Sequence, residues 1–147
     1  MGAWGNFVNR TLAFSVKYLN SEIEETSVNE EIRLRVKNAF DSVGEKIEKG
    51  CFRDATEEIF DLIRFGNAYY DSKQPWKTRT DDVAQCRKTI AECAYLIANI
   101  AVLLYPILPF SSEKIADWLN IDLTWQEKTV TLTQITKEIS ILFQRIE

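Results

Sequence analysis

A chain of 147 residues, 46% hydrophobic and 27% charged, has the length and composition of one folded domain with a single core, which excludes disorder. Its 18 basic and 22 acidic residues leave a net charge of −4, which excludes broad contact with nucleic-acid phosphates but permits a small site that reads a few bases. The absence of histidine removes the commonest general base, the commonest metal ligand and every Ser–His or Cys–His nucleophile.

From Ala3 to about Glu25, Val8, Leu12, Leu19 and Ile23 recur on one helical face, with Asn6, Arg10, Lys17 and Asn20 on a more polar one. Thr26-Ser27 breaks this helix. Asn29 is placed to cap the next, with Glu30 and Glu31 in its first turn, where the helix dipole favours carboxylates. Ile32, Val36, Phe40, Val43 and Ile47 follow at steps of three and four, up to Gly50, a residue suited to the left-handed turn past a helix end. A third helix is predicted from about Phe52 to Asp71, with Ala55, Ile59, Leu62 and either Tyr69 or Tyr70 inward. Pro75 then forces a break across residues 72–77, because it lacks an amide donor and restricts the residue before it.

Thr80 is read as the cap of a fourth helix opened by Asp81 and Asp82. Its buried stripe is Val83, Cys86, Ile90, Cys93, Ile97, Ala101 and Leu104, and Pro106 ends it. A short fifth helix is predicted from Ser111 or Ser112 to Leu119. The tail from Ile121 to Glu147 leaves two readings open, Thr129 to Ile135 looking strand-like and the end helical or extended. The fold class expected is all-α, a single domain over residues 1–147 built as an antiparallel bundle of four or five helices.

The most apolar run, Ala94 to Leu108, is interrupted by Asn99 and Pro106 and is too short to span a bilayer. No charged-then-apolar leader precedes it. Cys51, Cys86 and Cys93 are odd in number and form no CxxC pair, so a reducing, cytoplasmic setting is expected. Cys86 and Cys93 lie on the apolar stripe, where packing is the natural role and ligand partners are lacking. No glycine-rich loop is present to cradle phosphate, and the chain alone is expected to be non-catalytic.

Four segments are distributed in order along the whole chain: Gly5-Asn6-Phe7-Val8-Asn9-Arg10-Thr11-Leu12; Gln74-Pro75-Trp76-Lys77; Leu104-Tyr105-Pro106-Ile107-Leu108-Pro109-Phe110, with Glu113-Lys114-Ile115 and Trp118-Leu119 after it; and Leu142-Phe143-Gln144-Arg145-Ile146-Glu147. At these separations they resemble the C-terminal anticodon-binding domain of the methionyl-tRNA synthetases, a class I aminoacyl-tRNA synthetase family. The resemblance implies a module that reads the CAU anticodon and positions tRNA for aminoacylation by a separate catalytic domain. Its implied partners are the anticodon loop of tRNA(Met) and that catalytic domain, with neither membrane nor DNA involved. It implies no cofactor in this chain, ATP and Mg²⁺ belonging to the catalytic domain. Asn6 and Arg10 match the asparagine and arginine with which the family reads the anticodon, and Trp76 matches its tryptophan.

The chemistry of these side chains agrees. Residues four apart on a helix are separated by about 40° around its axis, so Asn6 and Arg10 project together. An asparagine amide offers a donor and an acceptor to a base edge, and a guanidinium offers a planar fork. Trp76, at a proline-restricted turn, suits stacking of an unpaired base. Asp71 is a further candidate, able to accept from a cytosine amine, and Lys77 and Arg79 are candidates for phosphate contact. Other roles stay open: Asn6 as an exposed polar residue, Arg10 paired with Glu92 or Asp71, and Trp76 as a core anchor like those expected of Trp4, Trp118 and Trp125.

The family's two ATP-binding signatures, HIGH-like and KMSKS-like, do not occur here. With Met1 only a few residues before the first matching helix, the expectation is a domain separated from its catalytic partner, either excised or encoded on its own. Two rivals remain. One is a free-standing helical protein-interaction module; the other is the equivalent domain of a sister class I synthetase.

Overall fold

The computed structural model describes residues 2–18, 28–119 and 121–128, the side chain of Val16 excepted. Among them are five helices of at least 11 residues: α1 (Gly2–Tyr18), α2 (Glu30–Glu48), α3 (Phe52–Lys73), α5 (Val83–Leu104) and α6 (Pro109–Leu119). A seven-residue helix, α4 (Pro75–Asp81), stands between α3 and α5. The all-α bundle expected is thus present, with α4 added where a plain break was predicted. Leu19, Asn20, Ile23, the Thr26-Ser27 break, the strand-like Thr129 to Ile135 and the closing segment from Leu142 lie outside the described residues.

Local chemistry accounts for the helix ends. The Asn29 side chain accepts from the Glu31 amide, as an N-cap does, with Glu30 and Glu31 in the first turn of α2. That helix closes on Gly50 at φ 78°, where the Gly50 amide donates to Ile47 O at 3.0 Å and the Cys51 amide to Lys46 O at 2.8 Å. The tight turn lays α3 back along α2.

Two expectations near the proline need correction. The third helix runs on to Lys73, and the break contracts to one residue, Gln74, at φ 49° and ψ 61°. Pro75 opens α4, because at a first helical position its missing amide costs nothing. Thr80 does not cap the next helix; it lies inside α4 with its hydroxyl donating to Lys77 O. Asp82 caps α5 instead, accepting from the Gln85 amide at 3.2 Å.

The fifth helix is the centre of the molecule. Every residue from Thr89 to Leu104 is buried, because α1, α2, α3, α4 and α6 all pack around it. Cys86 and Cys93 are buried in it, as their spacing suggested. Val83, expected in the stripe, is 49% exposed, since the first turn of α5 projects beyond the core. The polar groups buried on α5 are paired. Glu92 accepts from the Tyr69 hydroxyl and from the Asn29 amide, tying α2, α3 and α5 together.

Asn99 donates to Lys128 O and accepts from the Lys128 amide, holding residues 121–128 across the bundle. Glu127 in that segment accepts from the Tyr95 hydroxyl and pairs with Arg33. Trp4 and Trp118 are core residues, as expected. Trp125 is not a buried anchor: it is 38% exposed, its ring lying edge-on to Phe40 and against Gly44.

Candidate nucleic-acid interface

The geometry of the candidate site begins with a close approach of two helices. A Cβ on Gly66 of α3 would meet Cε2 and Cζ of Phe7 at 2.5 Å, so the missing side chain is what lets the buried Phe7 ring lie on α3. Phe7 and Val8 face the core, which turns Asn6 and Arg10 toward the seam between α1 and α3. Trp4 fixes the start of α1 by donating to Ser111 Oγ at 2.9 Å.

Arg10 is held on three sides by α3. Its Nη1 donates to Asp71 Oδ1 at 2.9 Å and its Nη2 to the Asn67 carbonyl at 2.8 Å. The guanidinium carbon stands 4.2 Å from the centre of the Tyr70 ring. Of the two acids proposed as its partner, Asp71 is the one that pairs with it; Glu92 is engaged with Tyr69 and Asn29. Asn6 is exposed, and among the described residues its amide makes only a long 3.5 Å contact, to Asn67 Oδ1. The Asn67 amide nitrogen in turn donates to Ala3 O at 3.1 Å, so one side chain of α3 touches two residues of α1.

Trp76 is the second residue of α4, directly beyond the Gln74 bend, and is 44% exposed. The role of core anchor therefore does not fit it. Its ring lies 6.0 Å from that of Tyr70 at an interplanar angle of 38°. Tyr70 itself is buried, and burial pushes its phenol up to about 12 against the opposing pull of Arg10. A neutral phenol ring thus supports Arg10 and Trp76 together.

The structure brings Asn6, Arg10, Asp71 and Trp76 to one seam, with Tyr70 and Asn67 linking them. Lys77 is exposed on α4. Arg79 turns toward the end of α1, its guanidinium 4.2 Å from the centre of the Tyr18 ring. Asn67 and Gly66 were missed by sequence reasoning, and Tyr70 entered it only as one of two candidate core residues. One signal was available for Asn67: it lies one helical turn before Asp71 and shares its face. Among the described residues, no group of three or more metal-ligating side chains is assembled, and no helix is long and apolar enough to cross a membrane.

Comparison with known proteins bears on the whole chain. Residues 20–143 match the anticodon binding domain of methionyl tRNA ligase. The chain is 46% identical over 148 residues to a methionine–tRNA ligase of Bacillus mycoides, covering all of this chain and 27% of that protein. It is likewise 46% identical over 147 residues to methionine–tRNA ligase 2 of Bacillus cereus, again spanning 27% of it. The apo methionyl-tRNA synthetase of Mycobacterium tuberculosis shares the fold, with a TM-score of 0.79 at 20% identity over 91% of this chain and 30% of that one. The chain spans about a quarter of the length of the curated relatives it matches. With 46% identity over its full length and a family match across most of it, this chain belongs to the anticodon-binding domain family of the methionyl-tRNA ligases.

Proposed function

We propose that this domain reads the CAU anticodon of tRNA(Met) through Asn6, Arg10 and Trp76 and holds that tRNA for aminoacylation by a separate catalytic domain. The observation that carries the reading is the shared seam: an exposed indole and a guanidinium supported by the same buried tyrosine, with an exposed asparagine one turn away. A base stacked on Trp76 gains about 1–3 kcal/mol, and the ring beneath needs no reordering to receive it. Asn6, with only a long contact to give up, turns its amide to a base edge.

Arg10 has to share or exchange Asp71. The carboxylate is 61% exposed, and an exposed ion pair contributes about 0–1 kcal/mol, so giving it up costs Arg10 little. Arg10 can therefore turn from Asp71 to RNA, and the freed Asp71 accepts from a cytosine amine. The domain itself is non-catalytic in this reading, methionine activation with ATP and Mg²⁺ taking place in the catalytic part of the parent ligase, and the setting is the cytoplasm.

Titration of CAU and CAC anticodon stem-loops, followed by tryptophan fluorescence, tests the proposal. A larger and tighter response to CAU is expected. Trp76→Ala should abolish most of it while leaving the helical circular dichroism intact, because the indole is not in the core. Equal or absent responses in the unmodified chain would leave the protein-interaction reading standing. Preference for another anticodon would point to a sister synthetase.

A further inference from the structure

Alongside the seam lies a second aromatic surface, apart from the residues proposed to read the triplet. Tyr18, the last residue of α1, is 39% exposed. Its ring packs at 4.8 Å on Phe14 and carries two cations, Arg79 at 4.2 Å and Lys17 at 5.2 Å from its centre. Arg79 follows Trp76 by three residues on α4, so the two side chains lie on neighbouring positions of one helix face. Exposed Trp76, Lys77 and Arg79 thus share the short α4, and Arg79 reaches from it to Tyr18 and Lys17 at the end of α1.

Two cations over one exposed ring make this arrangement informative. The chain carries four more acids than bases, 22 against 18, yet neither Lys17 nor Arg79 has an acidic partner among the described residues. Lys37, Arg53, Lys88 and Lys114 are likewise without a carboxylate partner among the described residues, so what sets Lys17 and Arg79 apart is that both stand over one exposed ring. Cations gathered on an exposed ring match a nucleotide: the base takes the ring or the guanidinium plane, and the phosphate takes the charges. None of these groups forms a pattern specific to one base edge.

We propose that Tyr18, Arg79 and Lys17 form a second RNA subsite, which holds a loop nucleotide outside the anticodon triplet by stacking and phosphate contact without reading its identity. The proposal rests on the anticodon-reading function and extends it along the same face. Tyr18 and Arg79 raise affinity for any loop of the right shape, and Asn6, Arg10 and Trp76 choose among loops.

The test is titration of the full chain with CAU and CAC stem-loops over a range of salt, using Tyr18→Ala, Tyr18→Phe, Arg79→Gln and Lys17→Gln. Tyr18→Ala should weaken both loops by the same factor, about tenfold, and Tyr18→Phe should retain affinity. Arg79→Gln or Lys17→Gln should lower the slope of log affinity against log salt by about 0.7 for each phosphate no longer neutralised, with the CAU/CAC ratio unchanged. Unchanged affinity and slope in all of these variants overturn the subsite. So does a weakening confined to CAU, which would make Tyr18 part of triplet reading. Were Tyr18→Ala to unfold, the two glutamine variants, which keep the ring, decide the question by slope alone. Binding without CAU preference in the unmodified chain overturns the triplet reading and leaves these slopes to judge the subsite; no RNA binding at all overturns both.

Discussion

Substituting Gly66 by alanine sets two effects of opposite sign against each other. Alanine is favoured over glycine inside a helix by about 1 kcal/mol. The new Cβ, however, falls 2.5 Å from two carbons of the Phe7 ring, nearer than carbons ever pack, and Phe7 is fully buried with no route to solvent. Overpacking a filled core costs about 1–3 kcal/mol, and a clash against a rigid ring belongs at or above the top of that range. The expected net loss is about 2 kcal/mol or more, a fall in melting temperature of at least roughly 4–8 °C for a domain of this size. Urea unfolding by circular dichroism measures the stability, and stem-loop titration of the same protein measures binding. Because the ring relieves the clash by moving α1 away from α3, Arg10 is drawn from the Asn67 carbonyl and binding should weaken as well. Adding Phe7→Leu should recover part of the stability, giving a coupling of about 0.5–3 kcal/mol between the two sites. A Gly66→Ala protein as stable as the parent, with additive behaviour in the double variant, refutes the claim that this contact sets the α1–α3 spacing.

Three other outcomes are expected. Gln74→Gly should stabilise the chain by up to about 1 kcal/mol in thermal unfolding, since Gln74 occupies the left-handed region at φ 49°, which glycine adopts without steric penalty. Asn67→Ala should cost about 0.5–1.5 kcal/mol in urea unfolding and weaken CAU binding, because it removes the side-chain bridge to Asn6 and Ala3 while the carbonyl under Arg10 remains. Stability should also fall in alkali. Burial holds the Tyr69, Tyr70 and Tyr95 phenols and the Cys93 thiol above their ordinary values, Tyr70 at about 12. The unfolded chain releases these protons first, so their contribution is complete below the unfolded thiol and phenol values, about 8.5 and 10, and declines as pH rises toward the folded ones. Denaturation midpoints that stay constant through that window would contradict the burial of these groups.

Much of the architecture was legible in the order of residues, and for local reasons. A cap such as Asn29 and a left-handed stop such as Gly50 work through their own neighbours, so they can be read without the rest of the molecule. The apolar periods of α2, α3 and α5 likewise report one face each. Where two local signals competed, the reading slipped. Thr80 and Asp82 are both good caps, and Asp82 prevails because Pro75 had already started α4 and absorbed Thr80 into it. The candidates Asn6, Arg10 and Trp76 came from the resemblance to the synthetase family, with which helical spacing and the preceding proline agree without singling these residues out.

What the linear order determined by itself is the five longer helices, local stops such as Asn29 and Gly50, and the chemistry available on each. What the tertiary structure alone decided is who meets whom. Arg10 takes Asp71 and not Glu92, Tyr70 becomes the common support of Arg10 and Trp76, and Asn99 holds Lys128, because helices distant in sequence approach to distances set by side-chain volume. The absence of a single Cβ at Gly66 brings α1 onto α3, and that approach depends on the space between two helices, a quantity no single-helix pattern contains.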